Sequence, residues 1–423
     1  MEAKKVVTRC ILFAYKFILL NPLSTDGAKR KIGTIYAVFG SVYLTLASSA
    51  IVILIMQNKN DFVEFILPIG YASTIFMNGI NHLIIAYNVP SINLLLRNIE
   101  RNIYTYSDRH FTFDNSTSSG ADNETHSSNV ACTKLSVFLT ILIYNNAFLG
   151  MISPFFGYLL TGKLSANIYP SWFPWNMDDS VLGYTVSYLL ESYVALHVCS
   201  LYASTAVYMA LTYLEYERQY RRLSNAVTSI PSRSLAFVRR SSSSDRRCFP
   251  SNRLANERTE TDDAKLYHKR FEYNLIECID HHRALKKCFE YFKLYFEMNF
   301  SVEFTLCVLT LCFLMYSLLE VTDAGRVFSI LAVTTILLQN LFLKCYVGEK
   351  FSELNGTLKE AIYDLPWYRQ SISNRKLLHI FQLGSTQPHR LTGLKVFPAS
   401  LFIFTRIIRT SYSLLNLIRA SHS

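Results

Sequence analysis

The residues best suited to chemistry in this chain of 423 residues include a short segment with two cysteines and two histidines. Cys278, His281, His282 and Cys288 are residue types that bind zinc through sulfur or imidazole nitrogen. On a helix only the first three share a face, because Cys288 follows Cys278 by ten residues. No Cys-x-x-Cys pair accompanies them. We therefore predict no metal site.

The sequence lacks the short motifs that build enzyme sites. It has no Gly-x-Ser-x-Gly, no phosphate-binding loop ending in Gly-Lys-Ser/Thr, no Gly-x-Gly-x-x-Gly and no His-Glu-x-x-His. We predict a protein that is not an enzyme and that has no cofactor. The net charge of +11 does not predict nucleic-acid binding either, because the basic residues lie in loops beside apolar segments, where membrane topology explains them.

Several polar residues lie inside long apolar runs. A carboxylate at the middle of a bilayer costs about 2.5–3.5 kcal/mol, so Glu191 must face protein or water. It could join two helices by hydrogen bonds, or it could contact a ligand or a gate, and the sequence leaves both roles open. The amides and the imidazole in these runs favour hydrogen bonds between helices. They are Asn78, Asn81, His82, Asn145, Asn146, Gln339 and Asn340.

The composition indicates that the apolar runs cross a membrane. Half of the residues are hydrophobic, 14% are aromatic and only 17% are charged. Runs long enough to cross a hydrocarbon core of about 30 Å recur along the chain. We predict an all-α protein with seven transmembrane helices. They are Ile32–Met56, Phe62–Tyr87, Cys132–Leu160, Val181–Leu214, Leu294–Leu319, Val327–Val347 and Val396–Ile418.

The distribution of Lys and Arg predicts a cytoplasmic N-terminus and an extracellular C-terminus. Most of these residues fall in 1–31, 88–131, 215–293 and 348–395. Seven spans place all four segments on one side, which the positive-inside rule assigns to the cytoplasm. Two glycosylation sequons, at Asn115 and Asn123, also lie on that side. Glycosylation there would instead support the inverse topology of a G-protein-coupled receptor.

The predicted spans divide the chain into five parts. Residues 1–31 form an amphipathic segment on the inner membrane surface, and 32–223 contain spans one to four. The Arg- and Ser-rich segment 224–263 is predicted to be a disordered cytoplasmic insertion. Residues 264–348 form a cytoplasmic helix extension with spans five and six. Residues 349–423 form a helical cytoplasmic anchor and the last span.

Aromatic and methionine side chains concentrate in the predicted outer halves of the spans. Such stripes commonly form the core of a bundle, but they also suit an adaptable apolar pocket. A volatile ligand of about ten heavy atoms, at about −0.8 kcal/mol per atom, would reach micromolar affinity there. The candidate pocket residues are Ser73, Phe76, Met77, Phe148, Met151, Phe155, Tyr188, Glu191, Ser192, Tyr316 and Phe328.

The C-terminal segment has the most specific pattern. Its motifs are Leu365-Pro366-Trp367-Tyr368, Gln387-Pro388, Leu391-Thr392-Gly393, Phe397-Pro398-Ala399-Ser400-Leu401 and Thr410-Ser411-Tyr412-Ser413-Leu414-Leu415. An aromatic and proline-rich loop reads Tyr169-Pro170-Ser171-Trp172-Phe173-Pro174-Trp175. Together with seven spans and a cytoplasmic N-terminus, these motifs resemble the insect odorant receptor family.

The resemblance implies an odorant-binding subunit of a ligand-gated, non-selective cation channel. In that family four subunits pack through the cytoplasmic ends of the later spans, and the last span of each subunit lines a pore. The implied subunit anchor is Pro366, Trp367 and Tyr368. The implied pore-lining residues are Ile408, Ser411, Leu415 and Ile418, with Leu415 at an apolar constriction. Alternatively, this face of the last span packs on its own subunit.

The Ser-Tyr-Ser ending and Arg419 differ from the shared coreceptor of the family. The resemblance therefore implies an odorant-tuning subunit that needs a coreceptor to reach the plasma membrane of an olfactory neuron. Two other functions remain open. A gustatory-type receptor channel would have the same architecture, whereas a secondary transporter would show repeated halves with helices broken at matching positions.

Overall fold

A computed structural model describes residues 8–13, 27–57, 62–101, 103–107, 118–161, 168–175, 181–245 and 253–422. Residues 8–13 are helical. The helices that follow are α1 (Gly27–Gln57), α2 (Phe62–Glu100), α3 (Ser118–Thr161), α4 (Val181–Thr228), α5 (Ile230–Asp245), α6 (Arg253–Glu320), α7 (Ala324–Glu353), α8 (Asn355–Tyr363), α9 (Ile372–Thr386) and α10 (Leu401–His422). A 3₁₀ turn (Trp367–Arg369) precedes α9, and two short strands, β1 (Thr392–Gly393) and β2 (Phe397–Pro398), precede α10.

Six of the predicted spans fall wholly on helices, and the seventh, Val396–Ile418, starts five residues too early, because β2 precedes the helix that begins at Leu401. The all-α membrane architecture is confirmed. Six helices in the described part of the chain, α1, α3, α4, α6, α7 and α10, are long and apolar enough to cross a membrane. The remaining predicted span lies in α2, where Asn78, Asn81 and His82 interrupt the apolar run. Because α2 packs along both α1 and α6, it belongs to the same bundle.

Helix α4 lies at the centre of the bundle and α10 lies at its edge. In the most apolar stretch of each helix, 89% of the residues of α4 are buried, against 22% for α10. Helix α4 is therefore surrounded by other helices of the chain. Helix α10 packs against α6 and α7 on one side and leaves its other side uncovered.

Two helices are much longer than a bilayer requires. Helix α6 has 68 residues and α4 has 48, which correspond to about 100 Å and about 72 Å against a hydrocarbon core of about 30 Å. The C-terminal half of α4 and the N-terminal half of α6 pack with α5, α8 and α9. Buried aromatic rings fill this packing, and the ring centroids of Phe292 and Phe351 lie 5.1 Å apart.

The prediction of disorder in 224–263 is wrong for the residues that the structure describes. Helix α4 continues to Thr228, α5 follows at Ile230–Asp245, and α6 starts at Arg253. Ile230, Ser234 and Val238 repeat at a spacing of four residues and are buried against α6. Arg270 of α6 lies 4.5 Å from the ring centroid of Phe237. Composition alone does not predict this buried face, because Ser and Arg residues occupy the other faces of the helix.

Two close backbone contacts set the position of α10. Leu394 and Lys395 form the β1–β2 turn with φ of 52° and 58°. A side chain on Gly393 would lie 2.8 Å from Phe300 of α6, and one on Gly348 of α7 would lie 2.5 Å from Ala399. A larger residue at position 393 would displace the Phe300 ring, and one at position 348 would displace the backbone at Ala399.

Hydrogen bonds complete the attachment of α10. The amide of Leu394 donates to Ser301 Oγ of α6 at 2.7 Å. The amide of Leu401, in the first turn of α10, donates to Glu349 Oε2 of α7 at 2.8 Å. A carboxylate at this end of a helix also complements the helix dipole. The start of α10 is therefore bound to both α6 and α7.

We expect Gly348→Ala to destabilise the protein, by about 1–3 kcal/mol, because its new methyl group overlaps Ala399. Gly384→Ala is the matched control, since nothing lies within 4 Å of its added methyl group and α9 gains about 0.5–1 kcal/mol in helix propensity. Thermal unfolding of the purified protein in detergent should show a lower midpoint for the first variant and a higher one for the second. Equal midpoints would contradict the close contact.

Candidate functional site

An apolar cavity of about 70 Å³ lies between four helices and the loop 168–175. Small and β-branched side chains form most of its wall, which leaves space where the helices cross. These residues are Thr74 and Ile75 of α2, Ala147 and Gly150 of α3, Val194 and Val198 of α4, and Ala332 and Ile336 of α7. A cavity of about 150 Å³ holds benzene, so this one must widen before a small organic ligand can enter.

The few polar groups at the cavity are already paired. The hydroxyls of Tyr71 and Ser329 lie 2.8 Å apart, and Ser329 Oγ donates to the carbonyl of Ile168 at 2.5 Å. At the other side, Asn146 Nδ2 donates to Gln339 Oε1 at 3.0 Å. An apolar wall with a small number of oriented polar groups is typical of a site for a small molecule.

Glu191 holds the loop that closes this cavity. Its side chain is buried, and Oε2 accepts a hydrogen bond from the amide of Ile168 at 2.8 Å. Oε1 accepts a second one from the hydroxyl of Ser171. Tyr169 of the same loop stacks on Tyr71 with ring centroids 6.2 Å apart. Of the two roles left open for Glu191, hydrogen bonding within the chain is the one observed, between α4 and a loop.

None of the predicted pocket residues lines this cavity, and Tyr316 packs elsewhere, against Ile66 and Leu415. Four phenylalanines point outwards, with exposed fractions of 45% for Phe76, 60% for Phe148, 56% for Phe155 and 39% for Phe328. These side chains cover the outer surface of the bundle, where lipid would surround them.

Other predicted pocket residues pack between helices. Ser73 bonds to Thr310 of α6 at 2.9 Å, and Met77 is fully buried in the core. Ser192 is buried, and among the described residues its hydroxyl has no hydrogen-bond partner.

The structure brings Met151, Phe155 and Tyr188 together at the ends of α3 and α4. Tyr188 donates to the carbonyl of Met151 at 2.9 Å, and its ring meets Phe155 edge to face at 6.1 Å. Tyr188 precedes Glu191 on α4 by three residues, about one helical turn.

The sequence analysis did not predict the residues that line the cavity, because it selected aromatic and methionine side chains as pocket residues. In a bilayer the surrounding lipid is as apolar as a bundle core, so large apolar residues have no preference for the inside. The positions of small residues on the helices would have indicated the wall of the cavity. Ala147 and Gly150, for example, lie next to Phe148 but on the inner face of α3.

The predicted pore-lining face of α10 packs mainly on its own chain. Ser411 is fully buried and donates to the carbonyl of Val308 of α6 at 3.1 Å. Leu415 is buried against Ile66 and Tyr316. Ile408 and Ile418 are half-buried. The alternative stated above, packing on the same subunit, therefore applies to Ser411 and Leu415.

The opposite face of α10 is exposed and mostly polar. The residues of this face repeat every three or four positions, and the described part of the chain does not cover them. Its residues are Phe402, Thr405, Arg406, Arg409, Ser413 and Asn416. Guanidinium groups are costly in hydrocarbon, so this face requires water or another protein surface.

The predicted anchor residues lie on the protein surface, at the end of the bundle that the sequence predicts to be cytoplasmic. Trp367 and Tyr368 belong to the 3₁₀ turn after Pro366, and their side chains are 48% and 61% exposed. Large exposed aromatic residues are frequent in protein interfaces. Their contact with a second subunit stays a prediction.

Buried histidines near this end have structural partners. His281 hydrogen-bonds to Tyr106 at 2.8 Å, and His389 Nε2 hydrogen-bonds to the Tyr220 hydroxyl. Burial lowers the pKa of His389 to about 3, and the proximity of His282 and the charge of Lys286 add to the effect, so His389 is neutral at pH 7. Among the described residues, no group of three His, Cys, Asp or Glu side chains could hold a metal ion.

Comparisons with known sequences identify relatives. A profile of the family described as 7tm Odorant receptor matches residues 94–412. Odorant receptor 19a of Drosophila melanogaster is 24% identical over 253 residues, which cover 59% of this chain and 57% of that protein. Odorant receptor 47a of the same species is 24% identical over 284 residues, 65% of this chain and 64% of that protein. Each match thus spans less than two thirds of the relative's length.

The fold matches solved structures over nearly the whole chain. The insect olfactory receptor OR5 from Machilis hrabei aligns with a TM-score of 0.72 and 13% identity, covering 98% of this chain and 96% of that one. The same receptor in complex with eugenol aligns with a TM-score of 0.72 over 99% of this chain and 97% of that one. At this identity the comparison shows a shared fold.

We expect Glu191→Ala to loosen the loop 168–175, because Ile168 and Ser171 lose their acceptor. A hydrogen bond within the protein contributes about 0.5–1.5 kcal/mol, so amide hydrogen exchange at Ile168 should become about twofold to tenfold faster. Glu217→Ala is the control, since this carboxylate of α4 pairs with Arg221 on the surface. Unchanged exchange at Ile168 in the first variant would contradict the assigned role of Glu191.

Proposed function

The chain belongs to the 7tm odorant receptor family, and we propose that it is an odorant-tuning subunit of a ligand-gated, non-selective cation channel that forms with a coreceptor. The relatives found are odorant receptors and not enzymes, and the apolar helices make the protein a multi-pass membrane protein. Within this proposal the subunit resides in the plasma membrane of an olfactory neuron, with a cytoplasmic N-terminus and an extracellular C-terminus.

The ligand that we propose is a volatile apolar small molecule bound in the cavity between α2, α3, α4 and α7. The observation that supports this proposal is that the cavity has an apolar wall and is closed by the loop 168–175, which hydrogen-bonds to Glu191. The structure of OR5 in complex with eugenol, which has the same fold, supports a small organic ligand for such a bundle. Because the cavity is only about 70 Å³, the ligand would bind best to a wider conformation and shift the population towards it.

The ion pathway that we propose runs along α10. The neutral polar residues Thr405, Ser413 and Asn416 of its exposed face suit a cation pathway. Arg406 and Arg409 of the same face would repel cations, so their guanidinium groups need contact with water or protein beside the ion path. Four subunits arranged around this helix would provide that contact. The buried position of Ser411 and Leu415 supports the exposed face, rather than the face with these two residues, as the lining of the pore.

The decisive experiment is to record whole-cell current in cells that express this chain with and without an insect coreceptor. A panel of volatiles should evoke cation current only in the cells with both subunits. Current evoked only by soluble tastants would indicate a gustatory-type receptor. Absence of current with the protein at the cell surface would contradict the proposed channel.

In the same assay, we expect Ala332→Leu to reduce the response to volatiles at least about tenfold, because it fills a wall of the small cavity. Leu331→Phe is the control, since this neighbouring side chain is 42% exposed on the outer face of α7. Its response should match the wild type. Equal responses of both variants at equal surface expression would place the ligand elsewhere.

The ion pathway can be tested with two serines of α10. We expect Ser413→Cys, on the exposed face, to react with a water-soluble methanethiosulfonate reagent and to lose most of its odorant-evoked current. Ser411→Cys should stay insensitive, because residue 411 is fully buried. Described native cysteines other than the half-buried Cys10 are buried, which limits background reaction. The reverse pattern would assign the pore to the face with Ser411 and Leu415.

A further inference from the structure

A second and larger cavity, of about 640 Å³, lies between α3, α4, α7 and α8. It is distinct from the proposed odorant cavity, with which it shares no residue. It lies where the predicted spans of α3, α4 and α7 meet the cytoplasmic side. We call it the interfacial cavity.

The wall of the interfacial cavity changes from apolar to polar along its length. Most of its apolar residues, including Leu135, Leu214 and Leu343, lie within the predicted spans, and Leu354 lies beyond them. Its charged residues follow the ends of those spans: Glu217 and Arg221 on α4, and Lys350 and Glu353 on α7. The same change from hydrocarbon to head group occurs across the boundary of a bilayer.

The charges on the wall balance each other. Arg221 pairs with Glu217 at 2.7 Å, and Lys350 pairs with Glu353 at 2.7 Å. The side chains of these pairs are partly exposed, with exposed fractions of 70% for Arg221 and 55% for Glu353. Such exposed pairs contribute little to stability, so the charged groups can turn towards another ion at small cost.

Aromatic rings accompany these charges. Tyr213 and Tyr346 lie on facing helices of the interfacial cavity. The ammonium group of Lys350 lies 5.9 Å from the ring centroid of Tyr346, which shows that a cation fits against this ring. Tyrosine rings with nearby carboxylates are the surroundings that quaternary ammonium groups prefer.

We propose that the interfacial cavity binds a zwitterionic phospholipid of the phosphocholine type. Its phosphate lies between Arg221 and Lys350, and its ammonium group lies near Tyr213, Tyr346 and the carboxylates. An acyl chain follows the apolar wall. The equal numbers of acidic and basic groups favour a zwitterion over an anionic lipid, because an anion would leave the two carboxylates facing negative charge.

The test is native mass spectrometry of the purified full-length chain with palmitoyl-oleoyl phosphatidylcholine and with palmitoyl-oleoyl phosphatidylserine. We expect the wild type to retain phosphatidylcholine at least about threefold more than phosphatidylserine. Leu214→Trp fills the apolar wall and should lose most of this retention. Leu196→Trp is the matched control, because this leucine of α4 is 40% exposed and lines neither cavity.

A second variant tests the charge argument without a change of shape. Glu217→Gln with Glu353→Gln leaves Arg221 and Lys350 unbalanced, so the preference should reverse towards phosphatidylserine. Equal retention by Leu214→Trp and Leu196→Trp, a wild-type preference for phosphatidylserine, or an unchanged preference in the double variant would each overturn the proposal. These outcomes do not depend on odorant binding or on current.

Discussion

Polar groups buried between apolar helices need partners within the chain, and this requirement sets how the bundle is assembled. Glu303 of α6 and Lys344 of α7 form a fully buried ion pair, and Asn340 donates to the same carboxylate at 2.7 Å. Removing one partner of such a pair costs about 3–5 kcal/mol, since the other charge stays buried. The same requirement joins Glu191 to the loop 168–175 and Ser411 to α6. Each of these bonds fixes one element against another.

Helix α7 connects the features to which we assign function. Near its start, Ser329 and Ala332 line the odorant cavity, and in its second half Lys344 forms the ion pair. Its last turns contact the start of α10 through Gly348 and Glu349. A ligand that moves the wall of the cavity would therefore act on the helix that also holds α10. Close packing transmits such displacements because the interior has little free volume.

The two cavities suit different molecules because of where they lie along the bundle. The smaller one is enclosed by small apolar residues and a loop, so it selects by size and shape. The interfacial cavity has paired charges and tyrosines at the predicted edge of the spans, which matches the polarity of a lipid head group. Both open beside α4, the most buried helix, whose length connects the two ends of the molecule.

The sequence by itself determined the helical membrane architecture, because runs of twenty or so apolar residues have few other stable arrangements, and its C-terminal motifs identified the family. Tertiary structure decided which face of each helix points inwards. Phe148 faces out and Ala147 faces the cavity, while Ser411 packs inside and Ser413 is exposed. It also decided that residues 224–245 are helical, since their few apolar residues become stabilising only against α6. Lipid is as apolar as the bundle core, so hydrophobicity alone cannot distinguish inside from outside.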